Sequence, residues 1–371
     1  MRLQELKSKE ERNKALSNKA NVLLNSILDT QVDEKYSHCE NLIGGVAIPL
    51  GVAGPLMLNG KKKREVYVPL ATTEGALVAS VNRGCKVATL SGGVNCFVET
   101  VGATRGPVFE TEGIIKSHQL VSYILKNFDE LADEAEETSK HLVLKDVETQ
   151  INGPFVYVRF VFDTDEAMGM NMVTIATDKL VNYIELKTEA KCVAVAGNYD
   201  VDKKPSWLNA IKGRGRRVHA EVVVPKDIVL KELKVKVSEL VKTTIIKCWG
   251  GSMMSGSMGY NAHFANVVAA FYAATGQDLA HVVEGSLGVT FASENKNGDL
   301  YMSIMMPDIM LGTVGGGTNL PTQKEAFNLT MAKSSTELAE VLAGAVLAGE
   351  LSLLASITEK TLAKSHKKLG R

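Results

Sequence analysis

Residues 155–162 read FVYVRFVF, and this alternating stretch determines how the chain around it folds. Successive side chains of a strand point to opposite faces, so every second residue shares a face. One face would carry the apolar residues Val156, Val158, Phe160 and Phe162. The other face would carry Phe155, Tyr157 and Arg159. The stretch therefore predicts a strand.

The chain on either side of this strand predicts a separate α+β unit that spans 107–195. Helical spacing relates the apolar residues Leu120, Ile124, Phe128 and Leu131. Residues 141–147 alternate as a strand does, a second helix is expected to begin near Ala167, and another strand follows around 192–195. The order strand, strand, helix, strand is typical of a ferredoxin-like insertion.

Length and composition place the chain among globular proteins. Its 371 residues suggest about two domains, and 45% hydrophobic with 23% charged residues excludes disorder as the main state. Lys and Arg number 42, as do Asp and Glu, so the formal net charge is zero. A neutral chain has no bulk field that attracts nucleic acid or an anionic membrane. We therefore expect neither as a partner.

Targeting and cysteine patterns favour a reducing cytoplasm. No run reaches the ~18 apolar residues of a membrane span, and the most apolar stretch, 341–357, carries Glu350 and predicts a buried helix. The charged N-terminus lacks the apolar core of a secretory signal. Five scattered cysteines without a CxxC pair indicate neither disulfides nor zinc. The histidines show no metal-ligand spacing, so no metal site is expected.

The flanking segments predict further elements. Residues 1–39 read as a peripheral helical segment, whose apolar spacing sharpens between 22 and 28. In the Gly- and Pro-rich stretch that follows, Val66, Val68 and Leu70 alternate as a strand, and Thr72 or Thr73 is positioned to cap a helix over 77–87. Residues 196–371 are helix-rich. Ser334 and Glu337 have capping-box spacing before a long helix there.

Four polar side chains are candidates for chemistry, and each has an ordinary alternative. Lys203, in the loop Asp202-Lys203-Lys204-Pro205, would present an ammonium to an oxyanion, or simply belong to a solvated turn. Glu74 would serve as a proton donor if a second carboxylate such as Asp278 raised its pKa, or as a first-turn helix partner. Asp278, after Gly276-Gln277, is equally typical of a helix C-terminus and turn. His366, among lysines near the C-terminus, is equally typical of an exposed residue.

Three stretches of small residues are candidates for ligand binding. Residues 312–318, GTVGGGT, offer backbone N–H groups to a phosphate or a nicotinamide, or form a flexible loop. Residues 167–172, AMGMNM, stand at a helix start, where core packing is the alternative, and 250–263 allow either anion binding or tight helix packing. No P-loop and no GxGxxG fingerprint is present. These features alone indicate an α/β enzyme with an anionic ligand.

Short motifs follow one another in a fixed order from residue 40 to residue 366. In chain order they read ENLIGGVAIPLGVAGPL, TTEGALVAS, NRGC, TRGPV, EAMGMNM, GNY, DKKP, GYNAHFAN, GQD, GTVGGGTNLP, LAGELSLLA and KSH. This series resembles that of the 3-hydroxy-3-methylglutaryl-coenzyme A (HMG-CoA) reductases. Each motif is short, but their shared order makes the resemblance specific. Residues 1–39 carry no comparable signature.

The resemblance implies a four-electron reduction of HMG-CoA to mevalonate and free CoA with two NADPH. By motif, Glu74, Lys203, Asp278 and His366 match the family's catalytic residues. A fixed ammonium at Lys203 suits the oxyanion of both reductive steps. A protonated His366 suits capture of the CoA thiolate, and Glu74, kept protonated by Asp278, suits donation to the new hydroxyl.

The resemblance also implies binding residues. Those for the HMG group are Arg105, Asp202, Lys204, Lys247 and Asn266, and those facing CoA are Ser80, Asn82, Arg83 and Lys86. Those for NADP(H) are Glu166, Met168, Gly169, Met170, Asn171, Val314, Gly315, Gly316, Gly317 and Thr318, with Lys140 near the 2′-phosphate. NADPH is expected, with NADH as the alternative, and no metal.

The family architecture implies an α+β fold. It consists of an N-terminal helical segment (1–39), a large helix-rich CoA and substrate domain (40–106 and 196–371) and an inserted small ferredoxin-like NADP-binding domain (107–195). A homo-oligomer, dimer or tetramer, would hold the active site at a subunit interface. The chain ends five residues after His366, and so resembles the biosynthetic class without a longer flap or a membrane domain.

Two positions depart from the family pattern. Glu166 stands where Asp is usual, and Ala196 stands where Ser is frequent. The first lengthens a carboxylate arm near the cofactor, and the second removes a hydroxyl from the substrate loop. Two other functions remain open: a catalytically silent CoA- or HMG-binding homologue, and a thioesterase that uses His366 or Cys192. The absence of a Gx[SC]xG elbow argues against the thioesterase.

Overall fold

Two hydrophobic cores organise the chain, which the computed structural model describes at residues 5, 6, 8–30, 32, 35, 37 and 39–360. The smaller core gathers buried side chains between Ala103 and Ala190 and adds Met310. The larger core draws on chain from both sides of that stretch, from Ala53 to Val94 and from Val218 to Ala355. A middle segment therefore buries apolar side chains of its own.

The strands of the described chain form one continuous hydrogen-bonded set. They are β1 (Leu50–Asn59), β2 (Lys63–Ala71), β3 (Val94–Arg105), β4 (Val108–Glu110), β5 (Val143–Asn152), β6 (Phe155–Asp163), β7 (Lys191–Ala194), β8 (Arg214–Val224), β9 (Gly259–Tyr260), β10 (Gly288–Glu294) and β11 (Leu300–Ile309). The main order is β7-β4-β6-β3-β8-β11-β10-β9, with β1 and β2 beside β3 and with β5 beside β6. Strand β3 pairs with β8 over 95–102 and with β6 over 103–105, so it connects the two cores.

The α-helices of the described chain are α1 (Lys9–Ala20), α2 (Asn25–Asp29), α3 (Leu77–Leu90), α4 (Ile114–Lys126), α5 (Phe128–Glu136), α6 (Met170–Lys187), α7 (Trp207–Lys212), α8 (Lys226–Ile228), α9 (Val237–Thr244), α10 (Ser252–Ser255), α11 (Phe264–Thr275), α12 (Val282–Gly285), α13 (Pro321–Leu329) and α14 (Ser335–Thr358). Short 3-10 turns cover Leu279–His281 and Gly316–Asn319, and π-helical turns cover Val229–Leu233 and Ile245–Gly251. These turns lie mostly where helices meet the glycine-rich loops.

Strand β6 has the predicted apolar face. The four expected residues are all fully buried, namely Val156, Val158, Phe160 and Phe162. Arg159, on the opposite face, is buried too, because its guanidinium donates to Glu148 Oε1 at 3.4 Å and to the carbonyl of Gly213 at 3.1 Å. The smaller unit runs β4-α4-α5-β5-β6-α6-β7 along the chain, and its strands lie in the order β7-β4-β6-β5.

Two local predictions are wrong. The spacing of Leu120 to Leu131 suggested one helix, but α4 ends before Asn127 and α5 begins after it. The proposed threonine cap is also wrong, since α3 begins at Leu77 behind Ala76, whose φ is 72°. Thr72 Oγ1 instead accepts a hydrogen bond from the N–H of Glu74 at 3.0 Å. Glu74 therefore lies in a turn before the helix and not in its first turn.

Helix α14 is the buried helix expected around 341–357. It is long and apolar enough to cross a membrane by length and composition, but 83% of its most apolar window is buried inside the protein, which is typical of a core helix. Ser334 Oγ accepts from the N–H of Glu337 at 3.2 Å, as predicted. The capping box is incomplete, because the Glu337 carboxylate accepts from the N–H of Lys333 at 2.8 Å and not from that of Ser334.

Gly84 sets how closely α3 approaches α14. A Cβ built on Gly84 would overlap the backbone carbonyl of Ala348, which no rotamer change relieves. Gly84→Ala is therefore expected to lower the free energy of unfolding by about 1–3 kcal/mol, although alanine favours helices. Thermal denaturation measures this. Gly250→Ala is the matched control, because its added Cβ meets nothing closer than 3.8 Å; equal midpoints for both variants would contradict the close approach.

Candidate active site

The two glycine- and methionine-containing stretches lie side by side and line one cavity. Ala167 and Val314 form a parallel β-bridge, although 147 residues separate them. The cavity measures about 890 Å³, and residues 167–172 and 314–318 make up much of its wall. Lys203 and Asp278 line the same cavity. The structure thus brings together four parts of the chain that the sequence analysis singled out separately.

Polar side chains and glycines hold the cavity walls in place. The Glu166 carboxylate accepts from Thr313 Oγ1 at 3.0 Å and from the N–H of Ser335 at 2.5 Å, at the start of α14. The Gln277 amide both accepts from the N–H of Gly312 at 2.9 Å and donates to its carbonyl at 3.1 Å. A Cβ on Gly312 would overlap the backbone of Met168. The two loops therefore touch backbone to backbone.

Lys203 and Asp278 form an ion pair inside the cavity, with 2.8 Å between Nζ and Oδ2. Lys203 adopts a left-handed backbone conformation, with φ of 56°, in the loop after β7. The 3-10 turn Leu279–His281 holds Asp278, whose Oδ1 accepts from the N–H of Ala280 at 3.0 Å. Burial raises the pKa of Asp278, but the Lys203 ammonium, the Ala280 N–H and His281 outweigh it and lower the pKa below its usual value. Asp278 is therefore a carboxylate at neutral pH.

A buried charged network supports this pair, and none of its ion pairs was predicted from the sequence. Arg214, at the start of β8, donates to Asp202 Oδ1 at 2.8 Å and to Glu284 Oε1 at 3.0 Å. His281 Nδ1 lies 2.5 Å from the same Glu284 oxygen. Arg214, His281 and Glu284 are fully buried. One sequence signal could have indicated the network. Residues i and i+3 share one side of a helical turn, and this spacing relates Asp278, His281 and Glu284.

Three members of this network also have the donor types of a metal site. One ligand atom each from Asp202, His281 and Glu284 lies within 4.8 Å of the others. The guanidinium of Arg214 already bonds to both carboxylates at hydrogen-bond distance. A cation therefore already balances the negative charge of the cluster, and the residues fit an ion-pair network better than a metal centre.

Glu74 pairs with Asn266 and not with Asp278 within one chain. The Asn266 amide, in the first turn of α11, donates to Glu74 Oε2 at 2.6 Å. Glu74 is exposed, and neither residue is among the described residues that line the cavity. Of the four predicted catalytic residues, Lys203 and Asp278 therefore form a pair and Glu74 lies apart from them. His366 lies outside the described residues.

Asp308 is a buried carboxyl group close to the network. Its Oδ2 accepts from the Asn209 amide at 2.7 Å. Burial raises the pKa of Asp308 to about 8, with Arg214 opposing this shift and Glu284 adding to it. The folded protein thus holds a proton here that the unfolded chain releases near pH ~4. Such a group lowers stability as the pH rises from ~4 towards 8.

Asp308→Asn should remove this pH dependence. From pH 5 to pH 7, the free energy of unfolding of the variant is expected to gain about 2–3 kcal/mol relative to that of the original protein, since one proton contributes ~1.4 kcal/mol per pH unit. Urea denaturation across that range measures the difference. Asp227→Asn, at an exposed carboxylate, is the control and should leave the slope unchanged. Parallel curves for Asp308→Asn would mean that Asp308 is already ionised.

Comparisons with known proteins identify the family of the chain. The sequence model described as hydroxymethylglutaryl-coenzyme A reductase matches residues 8–371. The chain belongs to this family. The reductase of Methanocaldococcus jannaschii is 46% identical, with 97% of this chain and 92% of that protein covered, and that of Methanothermobacter thermautotrophicus is 48% identical, with 90% and 85% covered. Membership of the HMG-CoA reductase family makes the protein an oxidoreductase.

Solved structures share the fold. The class II 3-hydroxy-3-methylglutaryl-CoA reductase of Streptococcus pneumoniae, bound to NADPH in open conformations, superposes with a TM-score of 0.73 over 95% of this chain and 97% of that chain. The two sequences are 19% identical. The likeness therefore supports the mixed α/β fold.

The residues that the HMG-CoA reductase motifs assign to the HMG group are mostly engaged within the chain. Arg105 donates to Asp200 Oδ2 at 3.1 Å and to Thr174 Oγ1 at 2.9 Å. Lys204 Nζ donates to the carbonyl of Asp202 at 3.3 Å. Lys247 lies exposed in the π-helical turn Ile245–Gly251. Lys204 and Lys247 are thus the cations most readily presented to an external carboxylate.

The residues assigned to CoA lie on or beside α3 and bond to neighbouring elements. Ser80 Oγ and Arg83 Nε both donate to Ser352 Oγ of α14 at 3.0 Å. Asn82 Oδ1 accepts from the N–H of Gly54 at 2.9 Å, and Lys86 pairs with Glu232 at 2.7 Å. Burial lowers the pKa of Arg83, which remains charged near neutral pH. These bonds join α3 to α14, to β1 and to the π-helical turn Val229–Leu233.

Lys140, which the motifs assign to the 2′-phosphate of the cofactor, lies outside the cavity wall. It is exposed in the turn before β5, and its neighbour His141 has Nδ1 3.0 Å from Asp165 Oδ2. Asp165 precedes Glu166, which holds the cavity wall.

Proposed function

We propose that the protein reduces HMG-CoA to mevalonate and CoA in two hydride transfers from NADPH, an early reaction of isoprenoid synthesis. The observation that most directly supports this proposal is the Lys203–Asp278 ion pair, with 2.8 Å between Nζ and Oδ2. It lies in the cavity that is lined by residues of the stretches 167–172 and 312–318. A cationic donor held at a cavity of this size suits carbonyl reduction, because charge develops on the carbonyl oxygen. In total, one HMG-CoA, two NADPH and two protons give mevalonate, CoA and two NADP⁺.

Lys203 is the proposed oxyanion donor of both steps. Reduction of the thioester carbon places a negative charge on its oxygen, and the Lys203 ammonium would hydrogen-bond to it. Asp278 keeps that ammonium in the cavity and balances its charge while no oxyanion is present. The oxyanion then re-forms the carbonyl as the C–S bond breaks, which releases the CoA thiolate and leaves mevaldehyde for the second reduction.

Two proton donors complete the proposal. His366, outside the described residues, would protonate the CoA thiolate, since a thiol pKa of ~8.5 lets an imidazolium capture it. Glu74 would donate to the alkoxide formed from mevaldehyde. Its bond to Asn266, at 2.6 Å, orients it, and both residues belong to motifs of the reductase family. Glu74 would face Asp278 only in an assembly of two chains.

The cavity fits an NADP(H) dinucleotide. Gly315 and Gly316 have left-handed backbones, with φ of 84° and 55°, and open space surrounds the place where a Cβ would stand. Gly169 ends the opposite loop at the N-terminus of the 18-residue helix α6, where free N–H groups and the helix dipole favour a phosphate. Glu166 and Met168 to Asn171 would form one side, and Val314 to Thr318 the other. When bound, the reduced nicotinamide supplies hydride.

NADPH is the proposed reductant in preference to NADH. The related Streptococcus pneumoniae enzyme is described with NADPH. Lys140 is exposed, so its ammonium would be available to pair with a 2′-phosphate. Glu166 extends from this region towards α14 and bonds to Ser335. Its longer side chain would therefore join the two cavity loops to the start of α14.

HMG would bind through its free carboxylate and its hydroxyl. Lys204 and Lys247 offer cations, with Arg105, Asp202 and Asn266 as hydrogen-bonding partners. CoA would lie along the α3 side, near Ser80, Asn82, Arg83 and Lys86. Arg83 would take part only if it exchanged its bonds to Ser352 and Ser356, which measure 2.6–3.0 Å.

The middle unit is proposed to be an inserted, ferredoxin-like NADP-binding domain over 107–195. Its strand order β7-β4-β6-β5 reads 4-1-3-2 in chain numbering, and its elements follow the split βαβ pattern. A homo-oligomer, dimer or tetramer, would bring the Glu74–Asn266 pair of one chain to the Lys203–Asp278 pair of another. An alternating row of exposed apolar residues, Val46, Ile48, Leu50 and Val52, supports such a contact.

The thioesterase alternative loses support. Burial raises the pKa of the Cys192 thiol, with neighbouring Glu185 and Asp178 adding to it, so the thiolate needed for attack is scarce at neutral pH. Cys192 lies in β7 and is not among the described residues that line the cavity. A catalytically silent CoA- or HMG-binding homologue remains the second candidate. In that case, the departures from the family pattern at Glu166 and Ala196 would be the first explanations to test for the loss of activity.

One assay tests the proposal. Purified protein is mixed with HMG-CoA and either NADPH or NADH, and nicotinamide oxidation, free thiol and mevalonate are followed together. Two NADPH oxidised per thiol released, with slower oxidation of NADH, is the expected result. Thiol release without nicotinamide oxidation would indicate the thioesterase. Tight CoA binding without either would indicate the silent homologue.

A further inference from the structure

His281 lies directly beneath the Asp278–Lys203 ion pair. Asp278, His281 and Glu284 stand three residues apart on one side of the continuous turn 279–285. The His281 ring is fully buried between the two carboxylates, with Nδ1 2.5 Å from Glu284 Oε1 and Nε2 3.7 Å from Asp278 Oδ2. The imidazole therefore connects a buried carboxylate to one that faces the cavity.

Every charged group near the ring is tied to the same network. Asp202 Oδ1 lies 4.0 Å from His281 Nδ1 and is bonded to Arg214. Arg214 also bonds to Glu284, and the backbone N–H of Lys203 donates to the same Glu284 oxygen at 3.3 Å. The loop that carries Lys203 and the turn that carries Asp278 thus share one anchor in the protein interior.

The remaining ring nitrogen has no partner within hydrogen-bond distance among the described residues. His281 Nε2 is buried and unpaired, and its nearest charged neighbour is Asp278 Oδ2. A buried polar atom left unpaired costs stability, so an ordinary core histidine would normally be fully bonded. A movement of Asp278 by well under 1 Å would close a hydrogen bond. The ring is thus placed to follow Asp278 as the charge on Lys203 is drawn towards a substrate.

We propose that His281, held by Glu284, is a positioning residue that fixes Asp278 against Lys203 and so aims the Lys203 ammonium at the carbonyl oxygen. The proposal rests on the function proposed above. His281 touches no substrate. Glu284 Oε1 fixes Nδ1, the ring presents Nε2 to Asp278, and Asp278 orients Lys203. Because this series of residues starts at buried Arg214, the protein interior supports the position of the ammonium.

The variants His281→Asn and His281→Gln test whether His281 positions Asp278 or only fills space in the core. The shorter Asn amide reaches the site of Nδ1 and keeps the Glu284 contact only, whereas the Gln amide reaches the site of Nε2 and can donate to Asp278. We expect kcat for HMG-CoA reduction to fall about 10- to 100-fold in His281→Asn and by less in His281→Gln, with KM for HMG-CoA and for NADPH changed by less than about 3-fold in both.

Two further measurements distinguish a positioning role from a purely structural one, because a purely structural role would change neither. The acidic limb of the kcat profile should move to higher pH in His281→Asn, because His281 contributes to the low pKa of Asp278. In an Asp278→Asn background, adding His281→Asn should have little further effect, since the two act in series. His219→Asn, at an exposed histidine on β8 that is not among the described residues lining the cavity, is the control and should leave all constants unchanged.

The outcomes are distinct. An original protein that does not oxidise NADPH with HMG-CoA would overturn the proposed function itself. An active original protein whose two His281 variants lose activity equally, in proportion to a lowered melting temperature, would overturn the positioning role alone. Independent effects of His281→Asn and Asp278→Asn would do the same. The proposal is supported if kcat falls more in His281→Asn than in His281→Gln, both KM values stay nearly constant, and the acidic limb of the kcat profile moves to higher pH in His281→Asn.

Discussion

Lys203→Ala is expected to lower kcat for HMG-CoA reduction by about 10²–10³-fold or more, because it removes the cation that faces the developing oxyanion. The fold should tolerate the change, since the Lys203 side chain is 38% exposed and a small residue leaves no buried cavity. Binding of CoA, measured by calorimetry, should change little. The reduction of mevaldehyde should be affected as strongly as that of the thioester, because the same ammonium serves both steps.

The control for this variant is Lys62→Ala, which removes an exposed lysine in the turn between β1 and β2. It should leave every constant unchanged. Turnover of Lys203→Ala within 10-fold of the original protein would contradict the proposed mechanism. In that case another cation near the cavity, with Lys204 the first to examine, would have to be the oxyanion donor.

Glu350→Ala should give the largest loss of stability. Glu350 is fully buried in α14, and its carboxylate accepts from the N–H groups of Ala262 and His263, both at 2.8 Å, and from Thr290 Oγ1 at 2.7 Å. Its Oε1 also lies 3.0 Å from His263 Nδ1. Alanine would leave these donors unpaired in the core. The free energy of unfolding is expected to fall by about 3–5 kcal/mol.

Thermal and urea denaturation measure this loss. Glu350→Gln, which retains one acceptor oxygen, should fall between the original protein and the alanine variant. Glu325→Ala, at an exposed position of α13, is the matched control and should change stability by less than about 0.5 kcal/mol. A similar change for Glu350→Ala and Glu325→Ala would mean that water replaces the carboxylate.

Elements with a strong periodic pattern were predictable from sequence. The face of β6, the strand with Val66, Val68 and Leu70, and the buried helix around Glu350 are all present, because burial of apolar side chains decides each of them locally. The start of α3 was not predictable. Ala76 has a positive φ there, and the conformation depends on the turn and not on the capping preference of threonine.

The candidate site was predictable as a set of parts but not as an arrangement. The motifs singled out Lys203, Asp278 and the stretches 167–172 and 312–318. In the structure, all four parts line one cavity. Their supports were missed, since Arg214 and Glu284 meet across 70 residues of chain and no local pattern specifies the pairing. The same holds for Glu74, whose partner Asn266 lies 192 residues away.

The position of α14 also constrains the order in which the protein takes shape during synthesis. This helix is encased by the larger core, yet every other element of that core precedes it in the chain. The ribosome must therefore complete residue 358 before the larger core can close, and until then the surrounding strands and helices expose apolar surface. The smaller core is complete, apart from Met310, once residue 192 has emerged. Domains tend to fold as they emerge. During the second half of translation, the smaller core would therefore be folded while the larger core still exposes apolar surface.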